Sequence, residues 1–180
     1  MITALHFLQP DVFLSWRNIT NVFKQISWQS MLALGVFIVI VTAGIDLSVG
    51  SIMMLSLMVL AITSKAGAAW YIVITIPIIM GALCGMVNGF GITILRMPHP
   101  FIMTLVTLYI FRGTGNLISG GVPISGFTEE VRFLGNGRID LTWLGLEESQ
   151  YLPVSVILIA VVFFSMWAFL NHTRTGKWIY

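Results

Sequence analysis

Seven consecutive residues, Gly44-Ile45-Asp46-Leu47-Ser48-Val49-Gly50, carry the clearest chemical signal in the chain. Asp46 places a carboxylate inside the 32-residue run Met31–Ile62, which is otherwise uncharged and mostly apolar. An acid at membrane depth is costly and by default marks a functional position, such as a solute path or a coupling-ion site. It has a structural reading too. A short acidic side chain caps a helix by accepting bonds from the free N–H groups of its first turn, and the positive helix end favours the charge. On spacing alone the cap reading is the stronger. Asn88 is the second such residue. A buried amide needs partners, and a bond to a neighbouring helix outweighs contact with a solute. Arg112 lies about 21 Å along a helix begun at Pro98, so it can snorkel to the membrane surface as an interface anchor.

Elsewhere the residues offer little chemistry. His6, His99 and His172 are far apart and lack ligand-like spacing, so neither a metal nor a cofactor is expected. Gly176-Lys177 is followed by Trp178 rather than Ser or Thr, which excludes a phosphate-binding loop. No GxSxG or paired-carboxylate pattern occurs, so the chain is not expected to be an enzyme. Cys84 is the single cysteine, and the ten methionines are scattered through apolar stretches, where they serve packing. A net charge of +2 without a basic run argues against nucleic acid.

These residues must be positioned by membrane helices. The chain is 57% hydrophobic and 9% charged, with mean hydropathy +0.94, whereas soluble domains carry about 25% charged residues. The fold class is therefore all-α, a polytopic transmembrane bundle forming one partial domain over 1–180. As a straight helix, Met31–Ile62 would extend about 48 Å, against about 30 Å of hydrocarbon core. It is predicted to break at 44–47, with Gly44 releasing the backbone and a second helix starting near Leu47. About five membrane segments follow, near 30–45, 47–63, 70–94, 100–118 and 151–170. Ile19, Val22, Phe23 and Ile26 recur at helical spacing between Arg17, Asn21, Lys24 and Gln25, which predicts a separate interfacial helix over 14–28. Gly81, Gly85 and Gly89 form a small-residue stripe that allows close helix approach, and Gly50 follows the break.

Short loops bearing Arg96, Arg174 and Lys177 read as cytoplasmic. The 119–150 loop, with five of the seven acids (Glu129, Glu130, Asp140, Glu147 and Glu148), then lies outside. If the interrupted run makes two segments, the N-terminal side needs an earlier span, so the chain is expected to be a fragment of a longer protein.

Several blocks carry a resemblance. Gly44–Gly50, Asn88-Gly89, Phe101-Ile-Met-Thr-Leu105, Arg112-Gly113 and the stretch from His172 to Tyr180 resemble the permease subunits of bacterial ABC importers for sugars, most closely the ribose-type permeases. Lys177 stands where that family usually has Arg, and the charge is kept. The resemblance implies a multi-pass protein of the bacterial inner membrane that carries ribose or a related monosaccharide. It implies Asp46, Ser48, Asn88, Phe101 and Thr104 as candidates for the substrate path, and Arg174, Gly176 and Lys177 as the flank of an ATPase dock. The implied partners are an ATP-binding subunit, a periplasmic sugar-binding protein, a second permease copy and membrane lipid. Two rivals stand beside it: an ion-coupled secondary transporter using Asp46, since broken helices also occur there, and a plain membrane anchor, which has little use for a buried acid and amide.

Overall fold

The computed structural model describes residues 10–125, 127–145, 147 and 150–179. The expectations concerning His6, Glu148 and Tyr180 lie outside the described residues. The helices are α1 (Pro10–Phe13), α2 (Trp16–Val41), α3 (Val49–Lys65), α4 (Trp70–Thr93), α5 (Pro100–Ser119), α6 (Glu129–Asn136), α7 (Val154–His172) and α8 (Arg174–Ile179). Four of them, α2, α4, α5 and α7, are long and apolar enough to cross a membrane, and α3 is a shorter apolar helix of 17 residues. The architecture is thus a polytopic helical bundle. It includes one non-helical feature that the sequence pattern did not mark, an antiparallel ribbon of β1 (Arg138–Asp140) and β2 (Tyr151–Pro153), in register Ile139 to Leu152. The ribbon moves the start of the last span from Tyr151 to Val154.

The interfacial helix expected over 14–28 is not a separate element. It continues into the first apolar segment as one 26-residue helix, α2. Composition changes sharply near Trp28–Ser30, but no glycine or proline lies between Trp16 and Leu34 to break the backbone.

The break falls where expected, with different residues in the key roles. Helix α2 ends in a Schellman arrangement: Gly44 N donates to Val39 O at 2.9 Å and Ala43 N to Ile40 O at 2.9 Å. The left-handed residue is Ala43, with φ +56°, and not Gly44. Gly44 is small for another reason. A Cβ there would stand 3.1 Å from Val39 Cγ1 and 3.2 Å from Val39 O. The next helix begins at Val49, two residues later than predicted.

The contacts divide the chain into two units. In the unit covering Gly35–Val131, α3 packs against both α4 and α5. Its small core joins Leu55, Cys84 and Phe111, one from each helix, with Ile52 and Met80 packed around them. Large apolar side chains point outward, including Ile78 and Tyr109, each 68% exposed, as suits helices that face lipid. Along the glycine stripe, one position meets a neighbouring helix within this unit. A Cβ on Gly81 would stand 3.9 Å from Ser56 Oγ, whereas nothing lies within 4 Å at Gly85 or Gly89, or at Gly50. The tight approach in this unit is at Gly91, where a Cβ would run into the Met103 side chain on α5.

The other unit contains the first part of α2 together with Arg132–Trp178. Trp16 Nε1 donates to Tyr151 O at 3.1 Å, and Thr20 Oγ1 lies 3.3 Å from the Tyr151 hydroxyl. The ribbon is thereby tied to α2. At the other end of α7, Gly176 is buried, and a Cβ there would collide with the backbone of Phe169 and Leu170. Only glycine permits that corner.

Candidate functional site

The break between α2 and α3 presents Asp46 on an irregular segment, residues 42–48. Asp46 Oδ1 accepts two bonds from one residue, from Ser48 N at 2.7 Å and from Ser48 Oγ at 2.6 Å. The first closes an Asx-turn. Asp46 therefore does not cap α3 at the position predicted. It folds the turn that leads into the helix, while the capping position itself is Ser48, whose side chain makes no cap bond. Ser48 is fully buried, and its carbonyl accepts from Ile52 N at 2.9 Å and Ser51 Oγ at 2.7 Å.

From Ser48 a directed chain of hydrogen bonds runs outward. Asn88 Nδ2 on α4 donates to Ser48 Oγ at 2.8 Å, and Thr107 Oγ1 on α5 donates to Asn88 Oδ1 at 2.6 Å. Asn88 and Thr107 are buried. Each group has one orientation available: Ser48 gives its proton to Asp46, so it must accept from the amide, and the amide oxygen is left for Thr107. The network pins three elements at one point, and low surrounding dielectric strengthens it.

Thr104, one turn before Thr107, adds a second tie. Leu47 N donates to Thr104 Oγ1 at 3.3 Å, and the same oxygen lies 3.2 Å from the Ile45 and Phe101 carbonyls. The non-helical peptide groups beside Asp46 are thus held by α5, as irregular backbone at membrane depth requires.

Asp46, Asn88 and Thr104 line one cavity of about 400 Å³, together with Gly44, Gly85 and Pro100 among others. That volume lies in the range of about 300–1,000 Å³ typical of small-molecule sites. Its walls are apolar through Val39, Ile45 and Ile92, with a carboxylate, an amide and a hydroxyl converging. Such a surface can accept and donate hydrogen bonds to a hydroxyl-rich solute while leaving its C–H faces against apolar side chains. Gly85, expected as a packing position, is part of the lining of this cavity.

Of the five substrate-path candidates, three share this cavity. Ser48 stands behind it, and Phe101 is exposed on α5 and contributes only its carbonyl. Thr107 was missed, because a threonine in an apolar helix carries no local sign of its partner. Arg112 is exposed on α5, as are Arg174 and Lys177 on α8. Among the described residues, no group of three or more His, Cys, Asp or Glu comes together to hold a metal.

Comparison with known proteins adds a family. A sequence model described as branched-chain amino acid transport system / permease component matches residues 18–180. The chain is 32% identical over its whole length to the ribose import permease protein RbsC of Escherichia coli (strain K12), covering 54% of that protein. It is 35% identical to the D-allose transport system permease protein AlsC of the same strain, over 96% of this chain and 50% of AlsC. It is 31% identical to the autoinducer 2 import system permease protein LsrD of Escherichia coli O9:H4 (strain HS), over 82% of this chain and 43% of LsrD. The chain spans about half the length of the curated relatives it matches. No solved structure matches it.

Proposed function

Because the chain belongs to the branched-chain amino acid transport system permease family, we propose that it forms part of the transmembrane path of an ATP-driven importer for ribose or a related monosaccharide. The observation that carries this reading is the cavity at the helix break, where Asp46, Asn88 and Thr104 converge. Likeness to ribose and allose permeases favours a sugar, although the family description names amino acids. A monosaccharide offers hydroxyls to the three polar groups and C–H faces to Val39, Ile45 and Ile92. Asp46 accepts from sugar hydroxyls, Asn88 and Thr104 set register, and Ser48 with Thr107 holds the constellation in place.

The work is divided among partners. A periplasmic sugar-binding protein delivers the sugar to the outer face, where the 119–150 loop lies. Two permease copies enclose the path in the bacterial inner membrane. A separate ATP-binding subunit hydrolyses ATP and docks on the cytoplasmic side near α8, flanked by Arg174 and Lys177. Gly176 gives the corner that lets α8 begin against the last turn of α7. Closure of the ATP-binding subunits alternates access to the cavity.

Tagging the chromosomal gene and purifying in mild detergent tests the assignment. Recovery of a nucleotide-binding subunit, identified by mass, is the expected result. Repeated recovery of the tagged protein without any ATPase would contradict it.

A further inference from the structure

A second cleft lies away from the helix break, entirely within the unit that contains Tyr151. It measures about 330 Å³ and is lined by Lys24, Gln25, Trp28 and Met31 on α2, Asn136 at the end of α6 and Ser155 at the start of α7, among others. The α2 residues recur at helical spacing and share one face. Three features together indicate what the cleft takes.

The first is its position along α2. Arg17, Asn18, Asn21, Lys24 and Gln25 precede it, and an uninterrupted apolar stretch from Met31 to Val41 follows. The cleft sits at that junction, with the exposed Trp28 beside it, which is the headgroup level of a membrane helix.

The second is charge. Lys24 is the cation in the lining; its Nζ lies 5.4 Å from the Tyr151 ring centroid, and Arg138 Cζ lies 4.4 Å from the same ring. Arg17 is close enough to act on the Tyr151 phenol along with them. Among the described residues, no carboxylate lines the cleft. Asp140 faces Tyr151 across the ribbon, and Glu129 and Glu130 open α6, but none of the three reaches the lining.

The third is an unused donor. Ser155 Oγ is buried and, among the described residues, has no hydrogen-bond partner. A buried hydroxyl without a partner is uncommon in native structures.

We propose that this cleft binds one anionic phospholipid, its phosphate held by Lys24 with Gln25, Asn136 and Ser155, and its glycerol and upper acyl chain lying along Trp28 and Met31. The Lys24 ammonium attracts the phosphodiester, and the amides and the hydroxyl supply neutral donors. The apolar part of the face continues into the span, which suits an amphipathic ligand better than a free anion.

Retention of lipid by the purified full chain tests the site. The protein is equilibrated with equal phosphatidylglycerol and phosphatidylcholine, and bound lipid is counted by native mass spectrometry. One phosphatidylglycerol retained about five-fold over phosphatidylcholine is expected, the selectivity that one cation near a membrane surface confers. Lys24→Gln should remove the preference and Lys24→Arg should keep it. Lys65→Gln, which removes a charge at the end of α3, should leave it intact. Folding of each variant is checked by gel filtration and helical circular dichroism. If Lys24→Gln fails to fold, Trp28→Ala replaces it and should reduce total retained lipid at this site. Equal retention of the two lipids, or an unchanged preference in folded Lys24→Gln, would overturn the proposal. Displacement of phosphatidylglycerol by an equal concentration of inorganic phosphate would also overturn it, since the site would then read only a free anion.

Discussion

Asn88 on α4 donates to Ser48 Oγ at 2.8 Å across 40 residues of sequence, and so fixes the turn that presents Asp46. Its other end is fixed in turn by Thr107. Two variants test that coupling. Asn88→Ala and Thr107→Val should each destabilise the protein, and the double variant should cost less than their sum. The interaction energy should be about 0.6–1.7 kcal/mol, as for hydrogen bonds between membrane helices. Unfolding of all four proteins in mixed micelles gives the cycle, and strict additivity would mean that the bond does not form.

Asp46 has two roles that a pair of substitutions separates. An Asn at position 46 keeps a side-chain oxygen for the Ser48 donors, so Asp46→Asn should shift stability by less than about 0.5 kcal/mol. Asp46→Ala removes the acceptor and should cost about 1–2 kcal/mol. If the carboxylate faces the transported sugar, Asp46→Asn should nevertheless lose uptake at normal membrane levels. Full uptake in Asp46→Asn would leave only the turn-forming role.

The exit from α2 carries strain at one residue and crowding at the next. Ala43 holds φ +56° where the ends of α3 and α5 use Gly67 and Gly120. Ala43→Gly should stabilise the protein by about 1 kcal/mol, the cost of a left-handed L-residue. Gly44→Ala should destabilise it by roughly 1–3 kcal/mol, because the new Cβ meets Val39. Denaturation midpoints in detergent read both, and the two shifts should have opposite signs.

These residues also show how far the sequence could be read. Apolar run length against bilayer thickness located the break, and that argument needs only the 1.5 Å rise of a helix. It could not say that Ala43 rather than Gly44 would turn left-handed, because both are small and the choice depends on where the last carbonyls find donors. Asp46 and Asn88 stood out as polar residues in apolar runs. Thr107 did not, since helix interiors commonly hide threonine by bonding it back to their own carbonyls, as Thr114 does. The ribbon of Arg138–Asp140 with Tyr151–Pro153 was illegible for a related reason: three-residue strands show no periodicity, and their stability comes from Trp16 and Thr20 on α2.

Tyr151 gives the structure a dependence on pH. The hydrogen bond with Thr20 comes first, and with Lys24, Arg138 and Arg17 nearby it holds the phenol below its ordinary value despite burial. Between that lowered value and the ordinary value of about 10, the unfolded chain binds more protons than the folded one, so stability should rise with pH across this window. The added stability is fully present above the ordinary value and is lost as pH falls through the lowered one. Tyrosinate absorbance of the protein minus that of Tyr151→Phe should show a group titrating early. A difference curve centred at or above the ordinary value would contradict the arrangement.

The measurement closest to the central claim is uptake of labelled ribose by cells that depend on this gene, with the proton gradient collapsed by an uncoupler and ATP maintained. Import driven by a partner ATPase predicts that uptake continues under these conditions and stops when ATP is depleted. Uptake that collapses with the gradient while ATP is unchanged would contradict the importer and return Asp46 to the role of a coupling-ion site.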